Sequence, residues 1–276
     1  MIIAFVAINR VAAASKASAL IRVLEEADKE GGPFPTATLT EGVISALAEI
    51  GRPGVPVLIR ALGHSSSLVR SSAAQAEFLT RENRRLTHNL KEARLKQNCA
   101  VGDVDFDTPR NLKRTQFMEL AQCHWIQKGH NLIITEPTGC GKSFLACALA
   151  DKACKLKLRA KYIKTSELPR ELLIAREDGS YPRYMARLAK TDLLVIDEWL
   201  RDPLSQAQAR ELLDMLDDRF RKRSTTLISQ LPVDDWHKHI VDPTLADAIL
   251  DRVVHDSHRI ELRARESMRK KTANLK

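Results

Sequence analysis

The sequence predicts an α/β fold, a parallel sheet flanked by helices, preceded by an all-α segment. Three observations carry that expectation. Short β-rich apolar runs alternate with helical periodicity from residue 131 to residue 262. The first run passes directly into a Gly-rich turn that ends in Lys142-Ser143. A later run closes on two adjacent carboxylates, Asp197-Glu198. Strands separated by helices pair in parallel, because each crossover supplies a helix that covers one face of the sheet.

At 276 residues the chain has room for one large domain with a smaller companion, or for two modest ones. With 44% hydrophobic and 29% charged residues it has the balance of a soluble globular protein that buries a core. No apolar run approaches the ~18 residues that a membrane helix needs, so no membrane partner is expected. The opening Met1 to Asn9 is apolar but has no basic residue ahead of its short core, which argues against a secretory signal. Five cysteines (Cys99, Cys123, Cys140, Cys147, Cys154) form no CxxC pair, so a disulfide framework and a zinc site are both disfavoured. A reducing, cytoplasmic location is the expectation. Lys plus Arg number 44 against 35 Asp plus Glu, a net charge of +9. Such an excess suits a polyanionic partner such as nucleic acid, and a merely soluble basic surface is the plainer reading.

Residues 1–76 form the expected all-α segment. Leu20-Ile21-Arg22-Val23-Leu24 recurs as Leu58-Ile59-Arg60-Ala61-Leu62, thirty-eight positions later. The first copy precedes a Gly/Pro/Thr break, Gly31 to Thr40, and a helical run, Val43 to Ile50. The second precedes His64-Ser65-Ser66-Ser67 and a run from Leu68 onward. Paired short helices at this period suggest an α-solenoid, in which one pair cannot cover its own apolar face and stacks on a neighbour. The wording resembles HEAT-type repeats, with about two units present; generic amphipathic helices remain the alternative.

Residues 77–110 are expected to hold a basic helix and a linker. Leu79, Leu86, Leu90 and Ala93 fall on one helical face, with Arg81, Arg84, Arg85, Lys91, Arg94 and Lys96 opposite. Val101 to Pro109 reads as the linker. The third region, residues 111–276, carries strands at Asn131 to Thr135, Ala160 to Ile163, Leu193 to Asp197, Thr225 to Ser229 and Arg259 to Leu262. Helical spacing separates them, as at Leu212, Leu213, Leu216 and Phe220. In such sheets ligands bind beyond the carboxyl ends of the strands, which is where the motifs fall.

The run Leu132 to Thr135 enters Glu136-Pro137-Thr138-Gly139-Cys140-Gly141-Lys142-Ser143 and then a helix from Phe144 to Lys155. This is the P-loop pattern GxxxxGK[ST] in its strand–loop–helix setting, with Glu136 where the pattern has its first glycine. Gly139 and Gly141 let the backbone wrap so that the amides of Thr138 to Ser143, Cys140 included, face phosphate oxygens. Lys142 would reach the β- and γ-phosphates of ATP, and the Ser143 hydroxyl would ligate Mg²⁺. A carboxylate at 136 costs several kcal/mol if it sits ~4 Å from phosphate charge, and little if it points to solvent; both orientations remain open.

Leu193 to Ile196 are apolar and end in Asp197-Glu198. Two acids closing a buried strand suggest a use for the charge, hydrated strand-end acids being the plainer reading. Asp197 suits a hold on Mg²⁺ beside Ser143, and Glu198 suits orienting and deprotonating an attacking water. The next strand ends in Ser229-Gln230, where a polar side chain could bridge that water and the γ-phosphate.

Taken in order, GCGKS, LLVIDE, SQLP and DPTLADAILDRVVHDSHRIEL resemble the IstB-like ATPases, relatives of the DnaC-like helicase loaders in the AAA+ class of P-loop NTPases. The resemblance covers about Glu77 to Lys271. It implies an ATP-hydrolysing accessory protein of insertion-sequence transposition that binds double-stranded DNA, forms homo-oligomers and works with a separate transposase. It implies Gln230 as a sensor residue and Arg252 as an arginine finger reaching a neighbouring subunit's nucleotide; from the sequence alone Arg252 could equally be a surface helix charge. It also implies the absence of the full C-terminal lid of most AAA+ proteins. Two departures stand out: Glu136, and a HEAT-like segment in place of the usual N-terminal helical module.

The basic excess concentrates in the 77–96 helix, in Lys155, Lys157, Arg159, Lys161 and Lys164, and in the tail from Arg252 to Lys276. Aromatic residues make up 5% and none interleave these stretches, so duplex backbone contact fits better than base stacking. Two other readings stay open: a DnaC-like replicative helicase loader, and a non-hydrolysing DNA-binding adaptor or decayed fusion.

Overall fold

A computed structural model describes residues 15–23, 25, 37–50, 55–62, 67–136 and 139–263. The expectations for Met1 to Asn9, for Pro137 and Thr138, and for the tail beyond residue 263 lie outside the described residues. The chain divides into two compact units, Met1–Thr87 and His88–Lys276.

The first unit is helical wherever it is described. Residues 15–23 form α1, followed by α2 (Ala37–Ile50), α3 (Val55–Ala61) and the larger part of α4 (Ser67–Ala93). Their core gathers Ala17, Ile21, Ile44, Leu47, Leu58 and Ala73. Helix α2 begins at Ala37, inside the expected break, and continues through Gly42. The recurring pentapeptide is not buried alike in its two copies. Ile21 is 7% exposed and its counterpart Ile59 58%, whereas Val23 is 40% exposed and its counterpart Ala61 5%. The two copies therefore turn different faces inward.

Helix α4 is a single element of 27 residues, so the expected boundary at 76/77 falls inside it. Its expected apolar face holds in part: Ala93 is buried and Leu86 and Leu90 are half-buried, whereas Leu79 is 37% exposed and Thr80 beside it is buried, as are Ala76 and Ala73 one and two turns earlier. Small residues let the helix approach its neighbours closely, and the Thr80 hydroxyl donates to the Ala76 carbonyl at 2.7 Å, which removes its polarity from the packed face. The helix ends at Ala93, with Arg94 in a left-handed conformation (φ 48°), so Arg94 and Lys96 do not belong to a helical basic stripe.

The second unit contains α5 (Arg114–Leu120), α6 (His124–Gln127), β1 (Asn131–Thr135), α7 (Lys142–Lys155), β2 (Ala160–Lys164), α8 (Leu168–Glu177), α9 (Tyr181–Lys190), β3 (Leu193–Asp197), α10 (Gln206–Arg219), β4 (Ser224–Ser229), α11 (Pro243–Val254) and β5 (Ser257–Glu261). The five strands pair in parallel in the order β2-β3-β4-β1-β5. Strands β1, β3 and β4 are buried along their full length: β1 and β3 are built on continuous Leu/Ile/Val runs, as helices on both faces require, while β4 buries Ser224, Thr225, Thr226 and Ser229 beside Leu227 and Ile228. Strand β5 starts two residues before the expected Arg259. It is an edge strand, and its ladder from Asn131↔Ser257 to Thr135↔Glu261 forms on backbone groups without an apolar side-chain pattern.

The helix starts are specified locally. Ser205 and Gln208 form a capping box on α10, and the Asp242 carboxylate accepts the Thr244 and Leu245 amides ahead of Pro243 on α11. At the amino edge of the sheet Arg219 is 1% exposed and serves four acceptors: the carbonyls of Leu188, Thr191 and Ser224 and the Thr225 hydroxyl. Burial pushes its pKa down to about 9, with Arg223 adding to the effect. No helix among the described residues is long and apolar enough to cross a membrane, and the five cysteines are buried free thiols.

Candidate active site

Strand β1 ends at Thr135 and hands the chain to the loop that precedes α7. Gly139 (φ 105°) and Gly141 (φ 98°) occupy the left-handed region that favours glycine. At Gly141 a Cβ would also lie 2.8 Å from Arg110 Nη1. Arg110 is buried beneath the loop and donates to the carbonyls of Cys140 and Asp105, each at 2.6 Å. Burial lowers its pKa, with Asp105 and Glu136 among the charges that oppose the shift.

Glu136 does not point to solvent. Its side chain is 0% exposed, its Oε1 accepts the Cys140 amide, and that same oxygen lies 3.5 Å from Lys142 Nζ. Lys142 Nζ donates to the Glu136 carbonyl at 3.1 Å. The second carboxylate oxygen, Oε2, is buried with no hydrogen-bond partner. The side chain thus engages a loop amide and the loop lysine, the two donor types that a phosphate oxygen requires.

Ser143, at the start of α7, donates its hydroxyl to Asp197 Oδ2 at the end of β3, 2.8 Å away. The same oxygen accepts the Tyr162 hydroxyl from β2 and Lys96 Nζ at 3.3 Å. Asp197 Oδ1 accepts the Glu198 amide at 2.8 Å. Burial, the largest single influence, raises the Asp197 pKa; hydrogen bonds from Tyr162, Ser143 and the Glu198 amide, with the Lys96 charge, outweigh it, and the net shift is downward. Burial together with that carboxylate drives the Tyr162 phenol upward, so it remains a donor. An ionised carboxylate next to a hydroxyl fits Mg²⁺, which takes one or two protein oxygens and draws the rest of its octahedron from phosphates and water.

Beyond Asp197 the backbone turns sharply, with Glu198 at φ 59° and Leu200 at φ 53°. Such conformations cost free energy and collect at functional turns. Burial of Trp199 and Leu200 and the bond from the Trp199 amide to the Ile228 carbonyl (2.8 Å) hold the turn. Glu198 Oε2 pairs with Arg201 Nη1 at 2.6 Å, beside a cavity of about 250 Å³ that Thr165, Pro169 and Gln208 also line.

Gln230 follows β4, which lies between β1 and β3, and the register Thr135↔Ser229 sets it level with Glu136. It is exposed. The carboxyl edge of the sheet therefore brings together Gly139, Cys140, Gly141, Lys142, Ser143, Asp197, Glu198 and Gln230. Arg252 is elsewhere. It sits in the last turn of α11, paired with Asp217 and donating to the Ala248 carbonyl at 2.9 Å. Its own carbonyl accepts Asn131 Nδ2 at 3.0 Å, at the opposite end of β1 from the loop.

Four residues of the site are not assigned to it by the sequence: Arg110, Tyr162 and Arg201, and Lys96, which the sequence places on a basic helix face. Lys96, Arg110 and Tyr162 arrive from remote positions and carry no local pattern that points to the site. Arg201, three residues after Glu198, was the one with a readable signal.

Comparison with known proteins shows the family. The family model described as IstB-like ATP binding protein matches residues 63–275. A protein of Sinorhizobium fredii named as an insertion sequence ATP-binding protein is 43% identical over 196 residues, 71% of this chain and 80% of the relative. One of Pseudomonas fluorescens, named as an ATP-binding protein of the insertion sequence IS1162, is 41% identical over 56% of this chain and 68% of its own length. Among solved structures, the crystal structure of DnaI aligns over 64% of this chain and 93% of its own, with a TM-score of 0.53 and 19% identity. That likeness is one of fold, the P-loop NTPase fold of the AAA+ class.

Proposed function

Because the chain belongs to the IstB-like ATP-binding family, we propose that it is an ATP-dependent, DNA-binding accessory ATPase of insertion-sequence transposition that assembles into homo-oligomers on double-stranded DNA and acts with a transposase. The observation that carries the ATPase reading is the 2.8 Å hydrogen bond between Ser143 and Asp197, which joins two motifs 54 residues apart into one oxygen pair.

In this reading the amides from Thr138 to Ser143 and the N-terminus of α7 receive the phosphates, and Lys142 exchanges Glu136 for the β- and γ-phosphate oxygens. Ser143 and Asp197 would hold Mg²⁺, and the ion would neutralise charge on the phosphates. Glu198 releases Arg201 and takes a proton from the attacking water, while Gln230 positions that water against the γ-phosphate. Arg252 exchanges Asp217 for the nucleotide of a neighbouring subunit and stabilises charge there as hydrolysis proceeds.

Glu198→Gln tests the assignment. ATP binding should persist, turnover should fall by about 10²- to 10⁴-fold, and DNA-bound oligomers should outlast those of the wild type. Loss of nucleotide binding in that variant, or unchanged hydrolysis, rejects the role. Glu136 inside the loop favours one competing reading, a DNA-binding adaptor that does not hydrolyse ATP. Steady-state phosphate release by the unmodified chain with Mg-ATP and duplex DNA excludes it.

A further inference from the structure

We propose that the concave basic surface around the amino end of β2 and the last turns of α9 seats the phosphate backbone of duplex DNA, with Lys161 on its floor. The proposal rests on the DNA-binding reading given above and assigns it a place. The concavity has a volume of about 430 Å³ and is lined by six basic side chains, Arg94, Arg159, Lys161, Arg183, Arg187 and Lys190, against one carboxylate, Glu92. These residues come from separate stretches of chain, so the charge is gathered by the fold and not by one basic run.

The internal pairing of this cluster is incomplete. Arg94 reaches Glu171 at 3.4 Å and Arg159 reaches Asp192 at 3.6 Å. Arg187 lies over the Tyr184 ring, 5.3 Å from its centroid, which leaves its guanidinium edge turned outward for hydrogen bonds. Among the described residues Lys161 and Lys190 form no ion pair. Lys161 is also partly buried. Burial lowers its pKa, and Arg94 and Arg187 push the same way against Glu171 and Glu92. A partly buried cation pressed by like charges is stabilised when an anion enters.

The lining also indicates which anion. No Phe, Tyr or Trp lines the concavity, and His88 is its one ring, so it offers no row of stacking surfaces for successive unpaired bases. Several flexible cations around an open depression suit a repeated phosphate charge read without regard to sequence.

The test is fluorescence-anisotropy binding of a labelled DNA duplex to the full chain with Mg-ATP over a salt series. Lys161→Gln/Arg183→Gln/Arg187→Gln/Lys190→Gln should weaken binding and flatten the plot of log affinity against log salt by about 0.9 for each phosphate that is no longer neutralised. The control Arg210→Gln/Lys238→Gln, which removes exposed charges elsewhere, should keep the wild-type slope. DNA-independent ATP hydrolysis should be equal in all three. Should the fourfold variant misfold, Lys161→Gln alone should flatten the slope and Lys161→Arg restore it. An unchanged slope overturns the proposal, as does equal weakening by the control, tighter binding of a single strand than of the duplex, or selective loss of transposase binding. If the wild type binds no duplex at all, the function proposed above fails first, so the two failures are distinguishable.

Discussion

Glu136 is the residue at which this site departs from its motif, and its position defines a measurable cost. Its carboxylate is enclosed by the loop and engages Cys140 and Lys142. An incoming phosphate must displace it or share the loop with a like charge. Glu136→Gly should tighten ATP binding by on the order of ten- to a hundredfold, and Glu136→Gln by less, because the amide removes the charge but keeps an acceptor. A titration with fluorescent nucleotide checks this; equal affinity in all three proteins would show that the carboxylate leaves the loop at negligible cost. Lys142, Ser143, Asp197, Glu198 and Gln230 were legible because each follows a strand whose end fixes where it points. Lys96 and Tyr162 were not, since their bonds to Asp197 arise from chain segments that meet only after folding. Glu136 itself was legible as an anomaly and not as an orientation.

At the scale of elements the apolar strands β1 and β3 were found with their bounds, because full burial demands continuous apolar runs. The edge strand β5 was shifted, since polar Ser257 and His258 pair through the backbone. That strand has a pH dependence of its own. The His258 ring meets the Trp125 ring edge to face (6.3 Å between centroids) and lies tilted against His130 (5.8 Å). Burial lowers its pKa, and His130 and Lys128 add to this against Glu119. The folded value thus lies below the unfolded value of about 6.5. As pH falls through that window the unfolded chain takes up the proton first, so the stabilisation present above the window is lost. The urea midpoint should therefore decline from about pH 7 to about pH 5, and His258→Gln should flatten the decline. A variant with the same pH profile as the wild type would remove His258 from the account.

At the scale of the molecule, among the described residues one hydrophobic core gathers around Leu47 and Leu58 and another packs against the sheet. Leu47 is 0% exposed. Leu47→Ala should destabilise its own unit by about 2 to 5 kcal/mol, read by denaturant unfolding, and leave the nucleotide dissociation constant unchanged. A loss of nucleotide affinity in step with stability would mean that the cores do not act separately. The sheet order was not legible, because periodicity locates strands along the chain but not beside one another. It is the insertion of β4 between β1 and β3 that spaces the loop from the carboxylates.

The site's charged groups already have counter-charges inside the chain: Lys142 has Glu136, Asp197 has Lys96, and Glu198 has Arg201. Admitting a magnesium–nucleotide complex is then a partner exchange, in which old ion pairs dissolve as new ones form and few counter-ions are liberated. Nucleotide affinity should be nearly indifferent to ionic strength, with small and mutually cancelling heats in a calorimeter, while the proposed hold on DNA should weaken steeply as salt rises. On the function proposed above, a shift in ionic strength would thus loosen the protein from DNA and leave its nucleotide in place.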